Sequence, residues 1–577
     1  MNQGIKKKDT VAVIILCLLS GMLILRCHFS FCQSDESFYA AVLNRFWIGE
    51  KPIQDEWNSA LFYSPLLLPF YGIHIFLNGS TEGVLLFLRV LYVLFSFIAA
   101  LKLFSLIKRD TSDHLCALVA ASIILLFSRA NISGISYYNL CMLCGISGFC
   151  SAGLAIGYPV RFRTGRLIWA GILLACGVLC DPFLAPIIIA MMLYSICAGK
   201  RKKALLTVSA GIFTMAILYC IYLIATTGTH EIIANLPFLL NNPEQSSISE
   251  NLWSALREGA QLSKYVAIPS LIMTATLIWS MYRKVCTDKI YPFYMITQAV
   301  LLAITAIHTV NGICGAILLP MTVASFPFCI LARQRRRDLL ARQLYWFGLL
   351  NAAAYAAASN TGIDAGVVGF CMSSIAGLWL CRNSAEECQM SKARIKDLVI
   401  ALALLICAPM FCQRMIGVYR DAPLWELKAQ LHQGPGKGLY TTEEHAKQYE
   451  AICDALSDLS EQYPEGRILY AKNLPWAYLM TEYGYGTSSP WRIHTEDIET
   501  YYNVHPENRA DYICIFSESV GGWEKSPFNR NPGVSTPNAF DYEGEFWDIV
   551  QHSPVLLQTE ELCVYDVRDG LKEGLLP

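Results

Sequence analysis

The sequence carries little charge. Charged residues make up 16% of its 577 residues, whereas hydrophobic residues make up 54%. Soluble domains carry about 25% charged residues, and a chain of this length is too long for one ordinary domain. The composition therefore excludes a single soluble domain and is typical of a membrane protein with several spans.

The chain also lacks a continuous basic patch. Residues 418–577 hold 26 acidic and 12 basic side chains, whereas the preceding 417 residues hold 20 acidic and 33 basic ones. The basic residues form short clusters beside apolar stretches, which does not indicate a nucleic-acid partner. A basic membrane part followed by an acidic soluble part accounts for this distribution.

Cysteine is plentiful but does not form a disulfide pattern. Most of the 22 cysteines lie within apolar stretches, where a thiol behaves as a small hydrophobic side chain. The acidic part has only Cys453, Cys514 and Cys563, so at most one bridge forms among them. The ten histidines form no H-x-x-x-H or E-x-x-H pair of the kind that binds metal.

Thirteen apolar stretches are long enough to cross a bilayer. The first, residues 11–25, follows three lysines but precedes no small-residue cleavage site, which favours an uncleaved span over a signal peptide. Asp181-Pro182 separates two short stretches that are either two spans or one kinked re-entrant unit. The remaining stretches are 82–107, 114–129, 133–158, 166–180, 182–198, 204–226, 264–282, 291–309, 311–331, 340–358, 364–381 and 396–416.

Basic clusters predict the orientation of these spans. Each cluster precedes the first span or follows an even-numbered one, as the positive-inside rule requires. We therefore predict a multi-pass plasma-membrane protein with a cytoplasmic N-terminus, and an extracytoplasmic location for residues 30–66 and 418–577. The clusters are 6–8, 108–109, 161–166, 200–203, 283–284, 333–337 and 392–396.

Residues 418–577 have the pattern of a compact α/β domain. Residues 441–444 form a capping box that opens an amphipathic helix reaching about residue 462. Residues 467–471, 510–517 and 562–567 are apolar or alternating, as in strands. We therefore predict a transmembrane domain over 1–417 and a soluble α/β domain over 418–577.

Two acidic pairs stand out in the first outward loop, residues 30–66. Asp35 and Glu36 directly follow the first span, and Asp55 and Glu56 come about twenty residues later. Between the pairs, aromatic and aliphatic residues recur at i+4 spacing, which predicts an amphipathic helix lying on the bilayer. Carboxylates at the membrane boundary are costly to bury and indicate a functional site, although Asp35 also stands where a helix cap belongs.

This loop resembles that of the GT-C glycosyltransferases, polytopic enzymes that use polyprenyl-phosphate-linked sugars. They include the protein O-mannosyltransferases and the aminoarabinose transferases of lipid A. The resemblance rests on the acidic pair Asp35-Glu36, on Tyr39, on residues 49–52 (Gly-Glu-Lys-Pro) and on residues 63–66 (Tyr-Ser-Pro-Leu). Many members carry a further acid in the second outward loop, whereas residues 129–133 of this chain have none.

The resemblance implies an inverting glycosyltransferase that moves a sugar from a polyprenyl-phosphate donor to an envelope glycan, lipid or protein. Asp35 is the predicted general base, with Glu36 as the second choice. A second carboxylate must come from Asp55, Glu56 or Asp181. Whether a divalent metal takes part is left open, and no other cofactor is expected.

Cations and aromatic side chains complete the predicted site. The leaving phosphate needs an outward cation, for which the candidates are Arg129, Arg257 and Lys264, with Arg45 and Lys51 near the acids. Each is also explained as an anchor to lipid headgroups. Tyr138 either lines the site or belongs to the aromatic belt at the membrane interface.

Other classes of membrane protein remain as alternatives. A transporter or flippase predicts charges deep inside spans, for which Arg89 and Lys102 are the candidates. A polysaccharide polymerase or ligase predicts a large late outward loop, whereas the late loops here are short. A non-enzymatic scaffold gives no reason for acids after the first span.

Overall fold

The architecture is known from a computed structural model of the chain. It describes residues 2–197, 202–240, 247–283, 290–309, 317–331, 338–387, 389–521 and 540–574. The predicted basic cluster 333–337, half of the cluster 200–203 and the start of the predicted span 311–331 lie outside the described residues.

The described part of residues 1–417 is mostly helical. Each of the thirteen predicted apolar stretches overlaps a helix, and separate helices lie on either side of Asp181-Pro182. Whether these two helices form two spans or one kinked re-entrant unit stays open. Seven helices of the described residues are both long and apolar enough to cross a membrane, and several others are shorter and apolar. The chain is a multi-pass membrane protein; its number of crossings stays a prediction. The helices are α1 (Asn2–Arg26), α2 (Asp35–Trp47), α3 (Leu68–Asn78), α4 (Val84–Thr111), α5 (His114–Leu126), α6 (Tyr137–Gly157), α7 (Arg163–Cys180), α8 (Leu184–Cys197), α9 (Lys202–Thr226), α10 (Thr229–Leu240), α11 (Ile248–Arg283), α12 (Ile290–Thr309), α13 (Leu318–Leu331), α14 (Leu339–Ala358), α15 (Val367–Glu387) and α16 (Lys392–Ile416).

Helix α2 is the one predicted between the two acidic pairs, but it does not lie on a bilayer surface. All its residues from Glu36 to Phe46 are buried. Asn44, near its C-terminal end, donates to the carbonyl of Tyr478 (3.4 Å) and to the hydroxyl of Tyr485 (3.3 Å). The ring of Phe38, on the apolar face, lies 5.5 Å from that of Trp491, so this face packs against residues of the part 418–577. The prediction of a helix was right, whereas that of an interfacial position was wrong because its apolar face has a protein partner.

Residues 418–574 contain the predicted strands and the predicted helix. Thr442 caps α17 (Glu443–Gln462) by accepting from the backbone N–H of His445. A five-stranded sheet has the order β4 (Gly484–Tyr485), β3 (Arg467–Tyr470), β5 (Tyr512–Phe516), β7 (Leu562–Asp566) and β6 (Val555–Gln558). Strand β3 pairs in parallel with β4 and β5, whereas β7 pairs antiparallel with β5 and β6. The elements are β1 (Ala429–Gln430), β2 (Tyr440–Thr441), α17, β3 (Arg467–Tyr470), β4 (Gly484–Tyr485), α18 (Thr495–Val504), β5 (Tyr512–Phe516), α19 (Glu545–His552), β6 (Val555–Gln558), β7 (Leu562–Asp566) and α20 (Arg568–Gly574).

The first loop is fastened to the segment that follows α16. Arg26, at the end of α1, donates to the carbonyl of Met415 (2.9 Å), and the backbone N–H of Phe31 donates to Asp421 (2.7 Å). Asp421 is fully buried and also accepts from Thr441 (3.0 Å). These contacts place the beginning of α2 beside residues 419–421. The boundary between the two predicted domains stays a prediction.

Candidate active site

Asp35 lies in the first turn of α2 and keeps one carboxylate oxygen available. Its Oδ2 accepts from the hydroxyl of Tyr419 (2.9 Å) and forms an ion pair with Arg420 (2.7 Å). Within the described residues its Oδ1 has no hydrogen-bond partner, and the side chain is 19% exposed. Helix α2 begins at Asp35, and its cap position belongs to Ser34. Asp35 is therefore oriented by one oxygen and open to a ligand at the other.

Glu36 has a different environment from its neighbour. Its carboxylate binds the guanidinium of Arg89 in a forked pair, with Nε 2.8 Å from Oε1, and both side chains are almost fully buried. Arg89 also donates to the carbonyls of Cys27 (2.7 Å) and Ser30 (3.0 Å). The pair therefore fastens the end of α1 to α4, and both oxygens of Glu36 are occupied. Arg89, a candidate transporter charge, is neutralised by this contact.

The second acidic pair is engaged in the same way. Glu56 binds the fully buried Arg45 (3.1 Å) and accepts from the backbone N–H of Asn58 (3.1 Å). Asp55 accepts from the backbone N–H of Lys51 (2.6 Å) and from Asn508 (2.8 Å). These carboxylates hold the loop against the last part of the chain. Arg45 also donates to the carbonyl of Thr487 (2.7 Å), so its charge is committed to this network.

The cation near Asp35 was not among those that the sequence singled out. Arg420 follows α16 and is separated from Asp35 by almost the whole membrane part of the chain, so no local pattern connects them. The predicted Arg257 and Lys264 lie on exposed positions of α11, where Lys264 lies over the ring of its neighbour Tyr265 (4.9 Å). Neither forms an ion pair with the carboxylates of the first loop in the part of the chain that the structure describes.

Arg129 and Tyr138 do lie together. The guanidinium of Arg129 lies 3.8 Å from the ring centroid of Tyr138 and donates to the hydroxyl of Thr361 (2.9 Å). Its Nε is also 3.3 Å from Asp364. Asp364, in the turn before α15, thus places an acid beside the second outward loop, which has none of its own. Burial raises its pKa, while Arg129 opposes this change and Glu258 adds to it.

A group of tyrosines connects these charges. The ring of Tyr137 lies within 6.2 Å of those of Tyr39 and Tyr63 and 4.1 Å from Tyr138, which in turn is 5.0 Å from Tyr355. Burial, then Tyr137, then the Asp35 carboxylate raise the pKa of Tyr39 well above its ordinary value, and Arg129 opposes the increase. Both charges therefore act on the same ring, and we call these five tyrosines the tyrosine group.

Asp181 lies near Tyr355 of the tyrosine group. One of its oxygens accepts from the backbone N–H of Phe183 (3.0 Å), and the other is buried without a partner among the described residues. The Asp181 carboxylate acts electrostatically on Tyr355, and the hydroxyls of Tyr355 and Tyr63 also have no partner in the described chain. Burial raises the pKa of Asp181 to about 7, and the Phe183 N–H opposes this. Of the three predicted sources of a second carboxylate, only Asp181 has an oxygen available.

No cluster of metal ligands accompanies these groups. Among the described residues no three His, Cys, Asp or Glu side chains come together in a way that holds a metal ion. Metal dependence stays a prediction to be tested.

The chain combines a helical membrane part with a mixed sheet, and it shares this fold with known structures. The chain is similar to the structure of ArnT from Cupriavidus metallidurans bound to undecaprenyl phosphate. The similarity covers 98% of this chain and 98% of the ArnT chain. The TM-score is 0.51 at 9% identity, so the likeness is one of fold.

Two structures of the oligosaccharyltransferase AglB from Archaeoglobus fulgidus are also similar. One is in complex with an inhibitory peptide and a dolichol-phosphate, and the other is tethered to an acceptor peptide. They match at TM-score 0.47 with 14% and 13% identity, over 88% of this chain and 69% of theirs. No protein-family model matches the sequence, and no curated protein matches it either.

Proposed function

We propose that this protein is an inverting glycosyltransferase that moves a sugar from a polyprenyl-phosphate donor to an acceptor of the cell envelope. The observation that carries the proposal is the state of Asp35. It is the one member of the four acids of the first loop with an oxygen left available among the described residues, and it stands in a fold shared with ArnT.

Asp35 acts as the general base. Tyr419 and Arg420 hold Oδ2, which leaves Oδ1 for the incoming hydroxyl. A carboxylate so placed takes the proton of the acceptor hydroxyl as its oxygen attacks the anomeric carbon. Because the base and the leaving phosphate stand on opposite faces of the sugar, the reaction inverts the configuration at that carbon.

Arg129 compensates the charge that develops on the leaving phosphate. Its guanidinium is almost fully buried, where a charge interacts more strongly than in water. Its Nε lies 3.3 Å from Asp364 and its Nη2 donates to Thr361 (2.9 Å), and these contacts hold the guanidinium in place. We expect Arg129 to receive the lipid-borne phosphate, whereas Glu36, Asp55 and Glu56 keep their structural contacts.

The tyrosine group and Asp181 bind the sugar. Aromatic rings present faces on which a sugar ring packs, and unpaired hydroxyls exchange hydrogen bonds with sugar hydroxyls. Asp181, Tyr63 and Tyr355 each have a buried oxygen without a partner among the described residues, a costly arrangement unless a ligand supplies the missing contacts. The orientation of the site also belongs to the proposal: the loop, the donor and the acceptor lie on the non-cytoplasmic side.

The test is sugar transfer by the purified full chain with a panel of polyprenyl-phosphate sugars. Asp35→Asn keeps the size of the side chain and its contact with Tyr419 but removes the base, so we expect transfer to fall by about 10²- to 10⁴-fold. Glu82→Gln is the matched control, because Glu82 is a half-exposed acid paired only at the surface with Lys437 (2.7 Å). Undiminished transfer by Asp35→Asn, or reporter fusions that place residues 30–66 in the cytosol, would refute the mechanism.

A further inference from the structure

Lys102 is a charge that the proposed site does not use. It lies on α4 two turns before the end of that helix and is half-buried among apolar residues. An ammonium group at such a depth in a membrane helix requires an anionic partner or a path to water. In the part of the chain that the structure describes, Lys102 forms no ion pair with a carboxylate.

A groove runs from Lys102 to the end of α4. Its volume is about 330 Å³, and α4 lines it with Lys102 and Arg109, while α7 contributes Arg166. Arg109 and Arg166 are exposed, and neither forms an ion pair with a carboxylate of the described residues. The acid nearest in sequence, Asp110, is engaged by the hydroxyl of Tyr158 (2.9 Å) and the indole of Trp379 (3.1 Å). The groove therefore has three positive charges and no acidic residue in its wall.

The other side of the groove is apolar. Ile98 and Leu101 of α4 and Leu154 of α6 face the same space as the three cations. Lys102 and Arg109 are seven residues apart on one helix, which corresponds to a rise of about 10 Å. A ligand that fills the groove thus needs an anionic group between the cations and hydrocarbon beside it. Inorganic phosphate satisfies the first requirement but not the second.

We propose that this groove binds one anionic glycerophospholipid, with its phosphodiester between Lys102, Arg109 and Arg166 and an acyl chain along Ile98, Leu101 and Leu154. Basic recesses between membrane helices are suited to such headgroups. The site is remote from the catalytic one, because Arg89 and Arg109 stand twenty residues apart on α4, or about 30 Å. The lipid therefore belongs to the leaflet opposite Asp35 and takes no part in sugar transfer.

The test is native mass spectrometry of the full chain after reconstitution in mixed phosphatidylglycerol and phosphatidylcholine. We expect the wild type to retain one phosphatidylglycerol. The double variant Lys102→Gln/Arg166→Gln should bind it about 30-fold more weakly, since each cation near the surface contributes about 1 kcal/mol, or about fivefold. The matched control is Arg161→Gln/Arg163→Gln, which removes two exposed cations at the start of α7 that do not line the groove.

Two further measurements separate the possible outcomes. Lys102→Met removes the charge of the side chain but keeps its apolar stem. Circular dichroism with gel filtration shows whether each variant is folded. Equal retention of phosphatidylglycerol by a folded Lys102→Gln/Arg166→Gln variant overturns the proposal, as does equal loss in both double variants. Displacement of the lipid by inorganic phosphate would show that the groove recognises phosphate alone and would also overturn the proposal.

Discussion

The contact between Glu36 and Arg89 allows the structural and catalytic roles of the first acidic pair to be separated. Both side chains are almost fully buried, and the carboxylate holds the guanidinium with two hydrogen bonds. Removing one partner of a buried ion pair leaves an uncompensated charge and costs about 3–5 kcal/mol of folding free energy. We therefore expect Glu36→Gln and Arg89→Gln to lower the stability of the protein by about that amount each.

The double variant gives the sharper result. With both charges gone no buried ion is left unpaired, so the two losses are not additive. Arg89 also donates to the carbonyls of Cys27, Phe29 and Ser30, and these contacts are not restored. We expect the double variant to be destabilised by about 3 kcal/mol, or about 1 kcal/mol for each lost hydrogen bond, which is well below the sum of the two single variants.

Thermal unfolding and sugar transfer are then measured on the same four proteins in detergent. If Glu36 only positions α1 and α4, transfer by the double variant recovers together with its stability. A double variant that is stable but inactive would instead make Glu36 a catalytic group. Unchanged unfolding of Glu36→Gln alone would refute the structural argument, because a buried arginine cannot lose its counter-ion at no cost.

Two further predictions concern buried groups. The pKa of Asp181 is raised from 3.8 to about 7 in the folded chain, so the folded chain keeps a proton that the unfolded chain releases. The free energy of unfolding therefore falls by up to about 4 kcal/mol as the pH rises from about 4 to about 7, and it is constant above that. Asp181→Asn removes this pH dependence. The unfolding temperatures of the wild type and the variant should therefore converge at pH 4, and the variant should be the more stable of the two at pH 8. Parallel pH profiles of the two proteins would contradict a raised pKa of Asp181. A Cβ on Gly134 would lie 2.6 Å from Oε1 of Glu36, so Gly134→Ala should lower stability by about 1–3 kcal/mol. Gly165→Ala, which meets nothing within 4 Å, should be neutral or stabilising, and equal effects of the two would refute this.

Elements that follow from local periodicity were predictable. The apolar stretches, the helix between the acidic pairs and the strands near 467, 512 and 562 all appear where the sequence indicates them, since hydrophobic spacing and caps are local signals. The position of α2 was not predictable in the same way. An apolar face requires a partner, but the sequence does not say whether that partner is lipid or protein, and here it is protein.

Contacts between distant parts of the chain could not be predicted. Arg420 and Tyr419 meet Asp35 across more than 380 residues, and Asp364 meets Arg129 across more than 230. A single sequence contains no signal for such pairings. The sequence likewise leaves Tyr138 either to the interface belt or to the site, and only the fold brings Tyr137 and Tyr138 next to Tyr39 and Tyr355.

The four acids of the first loop show why burial has to be considered together with hydrogen bonding. In the sequence these acids form two similar pairs. In the structure Glu36, Asp55 and Glu56 are more buried than Asp35. Their burial is compensated, however, because Glu36, Asp55 and Glu56 each have both oxygens occupied. Asp35 is the more exposed, yet only one of its oxygens is held, by Tyr419 and Arg420. A base must be oriented and still have an oxygen for the proton it takes, and among these four acids only Asp35 meets both conditions.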